Sequence, residues 1–181
     1  IAYARSHPGE VNYGTSGPGS FAHMAGEWLG SMSGTKYTFV PYKGLGDALL
    51  GVASGQIHVT ATAVTSSMPF VKSGRLRAIA VTTAERLKVM PDLGSASETL
   101  RGYAWAQWNG YLAPARTPRP VVDRLGAELR KIAASPENVK VLAADGAIPV
   151  GNTPDEFARV IATEAAQWAK LIKSINLKLD D

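Results

Sequence analysis

One stretch sets the terms for the rest of the chain: Asn12-Tyr13-Gly14-Thr15-Ser16-Gly17-Pro18-Gly19-Ser20, followed by Phe21-Ala22-His23-Met24-Ala25-Gly26-Glu27-Trp28-Leu29. Its pattern predicts a strand end, a glycine-rich turn and a helix start. The glycines let the backbone fold tightly and approach a bound group without Cβ clashes. Ser20 is a good N-cap for the helix that follows. A helix start presents unpaired N–H groups and a partial positive charge, which suits a carboxylate or a phosphate. Thr15, Ser16 and Ser20 add hydroxyls. The same turn also occurs as a plain connection in open α/β sheets, so the rest of the chain has to decide between the two.

The chain continues in the same alternation. Residues 10–14, 37–40, 57–62 and 76–82 read as strands, and residues 20–30, 45–54 and 66–72 as the helices between them. Leu-Arg-Ala-Ile-Ala-Val-Thr at 76–82 has the near-continuous apolar pattern of a buried parallel strand. Helices of this length between strands imply right-handed crossovers and a parallel sheet. Residues 83–99 read as an exposed connection, and 105–112, rich in Trp and Tyr, as a further strand. Trp105 and Trp108 fall on its opposite faces, and one of them could face a cleft. Trp28 and Trp168 lie on apolar helix stripes and read as core.

After the proline-rich Ala113–Pro120 the composition changes. Thr117 is expected to cap, and Pro118 to open, a helix to about Ala134. A second helix, capped by Ser135-Pro136-Glu137, runs to Asp145-Gly146, and 148–150 reads as a short strand. Thr153-Pro154-Asp155-Glu156 starts a last helix to about Ile175, with Pro at its first position and acids in its first turn. A boundary is expected near 104–117. The start is unusual: Ile1-Ala2-Tyr3-Ala4-Arg5 looks like the last turn of a helix stopped by His7-Pro8-Gly9, with neither an initiating Met nor a signal peptide. The expectation is a fragment whose upstream part lies elsewhere.

Several functions fit poorly. The +4 net charge over 181 residues is mild and scattered, which argues against a nucleic-acid surface. With no cysteine there is no disulfide and no thiolate metal site, although this leaves the compartment open. A serine nucleophile elbow needs G-x-S-x-G, and Gly14-Thr15-Ser16-Gly17-Pro18 fails it. Gly17-Pro18-Gly19-Ser20-Phe21-Ala22 fits a loose G-x-G-x-x-A, but the next strand ends on Lys43 rather than on an acid. His23 and Glu27 share a helix face without a second His, the pattern of a surface or cap-supporting pair rather than a metal site. What remains are three turns at strand C-termini: 14–20, 42–44 and 62–66. They carry Gly, Ser and Thr, one cation (Lys43), and no base or nucleophile with an obvious partner. This is a set for binding a small anion.

At this point the residues resemble a known family. Asn12-Tyr13-Gly14-x-Ser16-Gly17-x-Gly19-Ser20 with His23 and Ala25-Gly26-Glu27 is similar to the first block of the Bug/TctC family, the extracytoplasmic solute receptors of tripartite tricarboxylate transporters. Val40-Pro41-Tyr42-Lys43-Gly44 with Ala48-Leu49 resembles a second block. Gly55-Gln56-Ile57 and Lys72-x-Gly74-x-Leu76-Arg77-Ala78-Ile79-Ala80-Val81-Thr82 resemble a third. Trp108-x-Gly110-x-Leu112-Ala113-Pro114-Ala115-x-Thr117-Pro118 and Pro149-Val150-Gly151-x-Thr153-Pro154-x-x-Phe157 resemble the C-terminal part.

The resemblance implies an α/β, type-II periplasmic binding-protein-like fold, with a parallel-rich sheet flanked by helices, here as a fragment of a two-lobe protein. Residues 1–103 would be the second lobe, 104–117 a crossover strand and hinge, and 118–181 helices returning to the first lobe. It implies a periplasmic, exported, non-enzymatic receptor that takes a small organic carboxylate and works with membrane transporter subunits. It implies no cofactor and no metal, and a truncated lobe could dimerise. Thr15, Ser16, Gly17, Gly19 and Ser20 would bind the carboxylate, and Tyr42, Lys43 and Gly44 would line the second turn. Where many members carry Asp-Asn after the third strand, this chain has Thr62 and Ala63, which favours a mono- or dicarboxylate over an amino acid. The alternative is an α/β nucleotide-binding domain or enzyme that uses the 14–20 turn as a phosphate loop.

Overall fold

A computed structural model describes residues 1–144, 146–175 and 177. It divides into two compact units, one of Ile1–Gln107 together with Leu177 and one that starts at Trp108 and ends before Leu177.

The first unit is built on a three-stranded parallel sheet in the order β2-β1-β3. The strands are β1 (Asn12–Thr15), β2 (Thr38–Pro41) and β3 (Val59–Thr60). A helix follows each: α2 (Phe21–Ser33), α3 (Leu45–Ala53) and α4 (Val64–Lys72), while α1 (Ala2–Ser6) precedes β1. Register pairs Asn12 with Thr38 and Thr15 with Pro41 on one side, and Gly14 with Thr60 on the other. The expected β-α-β-α-β-α order is thus observed, and the sheet is parallel.

Tyr13 anchors the core beneath α2. It is 3% exposed and meets the rings of Tyr37 and Phe39 edge-on at 5.7 and 5.5 Å. Burial pushes its phenol well above the usual range, so it stays protonated. Ala22, Met24, Ala25, Ala48, Leu49 and Ile57 are buried with it. Tyr103 joins it from beyond the sheet and donates to the carbonyl of Ala25 at 3.0 Å. Gly26 lets α2 approach: a Cβ there would lie 2.5 Å from the Phe39 ring and 3.1 Å from that of Tyr13. His58 extends the ladder at the far end of β1. Its N–H donates to the Asn12 carbonyl at 3.0 Å, and its Nδ1 accepts the Asn12 N–H at 2.9 Å.

Residues 76–82 do not form the expected strand. Only Val81 pairs, in a single parallel bridge to Ser95, and Ile79 is 71% exposed. A strand needs a ladder partner, and the bridge to Ser95 is the one pairing this segment makes among the described residues. Residues 83–99, expected as an exposed connection, instead form a stapled loop. Arg86 grips Glu98 with two bonds of 2.7 and 2.8 Å, Glu98 accepts the Ser95 N–H, and the Ser95 hydroxyl donates to Thr83. Leu87 and Ser95 are buried. Residues 105–112 form no strand either, although the Trp105 N–H donates to the Thr82 carbonyl at 2.8 Å. Trp28 is half-buried and packs on Tyr103.

The second unit consists of α5 (Arg119–Ala134), α6 (Pro136–Ala144) and α7 (Pro154–Ser174). The cap of α5 is Pro118 rather than Thr117, and Pro120 is the proline in its first turn. The last helix has the expected cap: the Thr153 hydroxyl accepts the Glu156 N–H, and the Glu156 carboxylate accepts the Thr153 N–H at 2.7 Å. Arg119 joins α5 to α7 through a two-bond contact with Asp155. Trp168 is half-buried. Residues 148–150 form no strand and present Ile148 and Val150 to solvent. Asp145, at the expected end of α6, lies outside the described residues.

Candidate functional site

Parallel strands bring like ends together, so the C-terminal ends of β1, β2 and β3 share one edge of the sheet. Each strand turns there into a helix. The N-caps are Ser20 for α2, Gly44 for α3 and Ala63 for α4. Three helix starts therefore converge on one edge, and the first N–H groups of each lack an acceptor within their own helix. Their partial charges all favour an anion.

The first turn is held from inside. Thr15 is buried, and its Oγ1 accepts the Gly17 N–H at 3.3 Å. Gly17 and Gly19 sit at φ of 103° and 69°, where a side chain is strained, so the glycines follow from backbone geometry. The Ser20 N–H donates to the Gly17 carbonyl, and the Ser20 hydroxyl oxygen accepts the His23 N–H at 3.4 Å. The Gly19 N–H donates to His23 Nδ1 at 3.0 Å. The Gly17 and Gly19 amides, expected to face a ligand, thus have internal acceptors, and these residues shape the turn. Among the described residues, the hydroxyl hydrogens of Ser16 and Ser20 and the N–H of Phe21 have no acceptor, and all three residues are half-buried, whereas Ala22 is buried.

The second turn is pinned to the first, with the Tyr42 N–H donating to the Thr15 carbonyl at 2.8 Å. The Tyr42 side chain runs back along α3, where Gly51 makes room for its hydroxyl. Tyr42 lines the edge with its backbone, not its phenol. Lys43 is exposed, and Gly44 has an extended backbone that any residue could adopt. At the third turn, the Thr60 hydroxyl donates to the Gly14 carbonyl at 2.8 Å and fixes β3. Two residues on, the Thr62 hydroxyl is buried and, among the described residues, has no hydrogen-bond partner. Such an orphan is costly unless a bound group satisfies it. Ala63 beside it is neutral, so no acid stands at this turn.

The residues do not assemble a triad. Both nitrogens of His23 are engaged within α2 and its turn, the second lying 3.5 Å from Glu27. His58 lies at the opposite end of β1, and His7 contacts Ser6. The expected cap-supporting pair of His23 and Glu27 is what the structure contains, with His23 buried and Glu27 half-buried. Its link to Gly19 was not legible in the spacing, which gives the helix face but not the reach of the ring to the residue before the cap. Among the described residues no three His, Asp or Glu side chains gather as a metal site. An open groove of about 520 Å³ along α7, lined by Glu156, Arg159 and Glu164, belongs to the second unit and contains none of the expected site residues.

Comparison with known proteins matches residues 1–177 to the family described as tripartite tricarboxylate transporter family receptor. A curated relative from Pseudomonas sp. strain P51, a UPF0065 protein in the tcbD-tcbE intergenic region, is 32% identical over 96% of this chain and 52% of its own length. A solved structure described as R. palustris Rpa4515 with adipate is 34% identical, with a TM-score of 0.89 over 97% of this chain and 59% of that one. The periplasmic binding protein BugD is 27% identical, with a TM-score of 0.85 over 98% of this chain and 60% of its own. The chain spans about half the length of the curated relatives it matches.

Proposed function

The chain belongs to the tripartite tricarboxylate transporter receptor family, and from that premise we propose that it supplies one wall of a periplasmic carboxylate-binding site. The whole protein captures a small mono- or dicarboxylate between two lobes and hands it to membrane transporter subunits, without turnover. The observation that carries this reading is the convergence of three helix N-termini on one edge, with the orphaned Thr62 hydroxyl among them.

Each residue then has a role. The hydroxyls of Ser16 and Ser20 and the first amide of α2 donate to the carboxylate. Thr15, Gly17 and Gly19 fix the turn. Tyr42 pins the second turn by its N–H, Lys43 adds positive charge, and Gly44 opens α3. Thr62 donates to a second ligand oxygen. Ala63 offers no charge for an ammonium, so the ligand is an unsubstituted or hydroxylated acid rather than an amino acid. Residues 104–117 act as the hinge between 1–103 and the returning helices of 118–181.

A thermal-shift screen of the whole protein against adipate, succinate, malate, amino acids and nucleotides tests the reading. Selective binding to the native state must raise its melting temperature. We expect one or more of the plain acids to stabilise it and to be recovered unconsumed. Stabilisation by nucleotides alone would overturn the receptor reading and restore the phosphate loop, and stabilisation by amino acids alone would refute the role of Ala63. Removing both Ser16 and Ser20 hydroxyls by Ala takes away two bonds to an ionised acceptor, each worth roughly 1.5–3 kcal/mol. Affinity should then fall by roughly a hundredfold or more; an unchanged value would put the site elsewhere.

A further inference from the structure

We propose that His23 is a positioning residue for the carboxylate turn, acting through Gly19 and not through the ligand. This rests on the carboxylate reading given above. His23 is 8% exposed, its ring meeting Phe39 edge-on at 4.8 Å, so its position is set by the core. Nδ1 accepts the Gly19 N–H at 3.0 Å, which requires an unprotonated Nδ1 and places the proton of the neutral ring on Nε2. Glu27, one turn on, lies 3.5 Å from Nε2 and favours that tautomer.

The arrangement is reciprocal. The N–H of His23 goes to the Ser20 hydroxyl oxygen, while its ring takes the N–H of Gly19, one residue before the cap. A capping box does the same with a Glu or Gln that returns to the cap residue itself. The histidine version reaches one residue further out and so fixes the peptide at Gly19, in its left-handed conformation, as well as the helix start. The Ser16 and Ser20 hydroxyls flank this segment. A turn held before the ligand arrives need not be ordered on binding, and that saving appears as affinity.

Two variants of the whole protein separate this role from simple core filling. His23→Asn keeps an acceptor close to the position of Nδ1, whereas His23→Leu fills the space without one. The probe is the tightest binder among adipate, succinate and malate, followed by calorimetry. His23→Leu should weaken binding by roughly five- to tenfold, the range of one lost hydrogen bond, and His23→Asn should recover most of that loss. Nitrogen NMR of histidine-labelled wild-type protein reads the tautomer directly, and this chain contributes three histidines. The His23 signal, identified by its loss in the variants, should show the ring protonated at Nε2 alone. Equal affinities for His23→Leu and wild type, an Asn variant as weak as the Leu variant, or a proton on Nδ1 would each overturn the assignment. If the wild type binds none of the three acids, the carboxylate reading itself fails and takes this inference with it. If the wild type binds and the variants do not separate, this inference alone fails.

Discussion

The two units differ in what their apolar residues touch. In the first, strands of two to four residues and the helices that follow them hold Tyr13, Ala22, Ala25, Ala48, Leu49 and Ile57, all buried. In the second, α5 and α7 are the longest helices described, with regular apolar stripes, and α7 has a complete capping box; none of the described residues of α5, α6 or α7 is buried. Val121, Leu125 and Ile132 of α5 are about half exposed. Helical signals and core formation are therefore separable. Capping and periodicity decide where a helix forms, whereas burial decides whether a unit is held together, and burial is the larger contribution to stability.

The largest expected effect breaks the first unit. Tyr13→Ala removes the ring that Tyr37 and Phe39 pack against and should cost roughly 3–5 kcal/mol. Urea unfolding followed by tryptophan fluorescence would report it as a lowered midpoint at unchanged slope. A loss below about 1 kcal/mol would mean that the first unit is not organised around β1. Gly26→Ala comes next, because its new Cβ would crowd Phe39 and Tyr13; overpacking of this kind costs roughly 1–3 kcal/mol. The same assay reads it, and a neutral result would show that α2 can move away from the sheet.

This division also explains how much could be read from the chain alone. The order of β1 to α4 and the edge where the turns meet were legible because each strand is short and followed by turn residues with a helix pattern. The capping of α7 was legible from Thr153 and Glu156 because both partners are three residues apart. Residues 76–82 and 105–112 were misread because their composition suits a strand, but a strand exists only through its neighbours, and those neighbours are not encoded locally. The staple of Arg86 on Glu98 spans twelve residues, and the Thr62 hydroxyl is orphaned by tertiary burial, so neither leaves a periodic trace. Of the site, the turn residues were legible. The engagement of the Gly17 and Gly19 amides and the turning away of the Tyr42 phenol were not.

Caps should matter about equally in both units, which sharpens the comparison. Ser20→Ala and Thr153→Ala each remove one acceptor at a helix start and should cost about 1 kcal/mol. In the first unit the loss should appear in global unfolding, because α2 carries the core. In the second it should appear as faster amide exchange across the first turn of α7, ahead of global unfolding. Coincident global transitions for both variants would show that the units unfold as one.

The staple of the first unit gives a pH test. Arg86 beside it, together with the Ser95 N–H, holds the Glu98 carboxyl at about 2. A depressed carboxyl stabilises the folded loop at pH values above its unfolded range near 4.5, and that contribution is lost as pH falls toward 2. Exchange of the Ser95 and Glu98 amides should therefore quicken between pH 4.5 and 2 beyond the intrinsic trend, and Glu98→Gln should abolish that pH dependence. Both side chains are about half exposed, so the effect is local and salt-sensitive. Persistence of the step in Glu98→Gln would assign it to another carboxylate.

The smallest expected effect is the most informative about the second unit. Leu125→Ala in this chain removes a side chain that is 51% exposed, and surface substitutions of this kind usually stay within about 0.5 kcal/mol. In the whole protein the outcome should differ. The chain spans about half the length of its curated relatives, and a stripe as regular as that of α5 is built to be covered. If the remainder of the protein covers it, the same substitution creates a cavity and should cost roughly 2–5 kcal/mol. Measured in both backgrounds, the difference between the two values is the contribution of the cover. A small value in both would mean that α5 stands in water throughout and that its apolar face serves some purpose other than returning to a first lobe. A large value in both would mean that the second unit already has a core in this chain alone, which would remove the contrast between the two units.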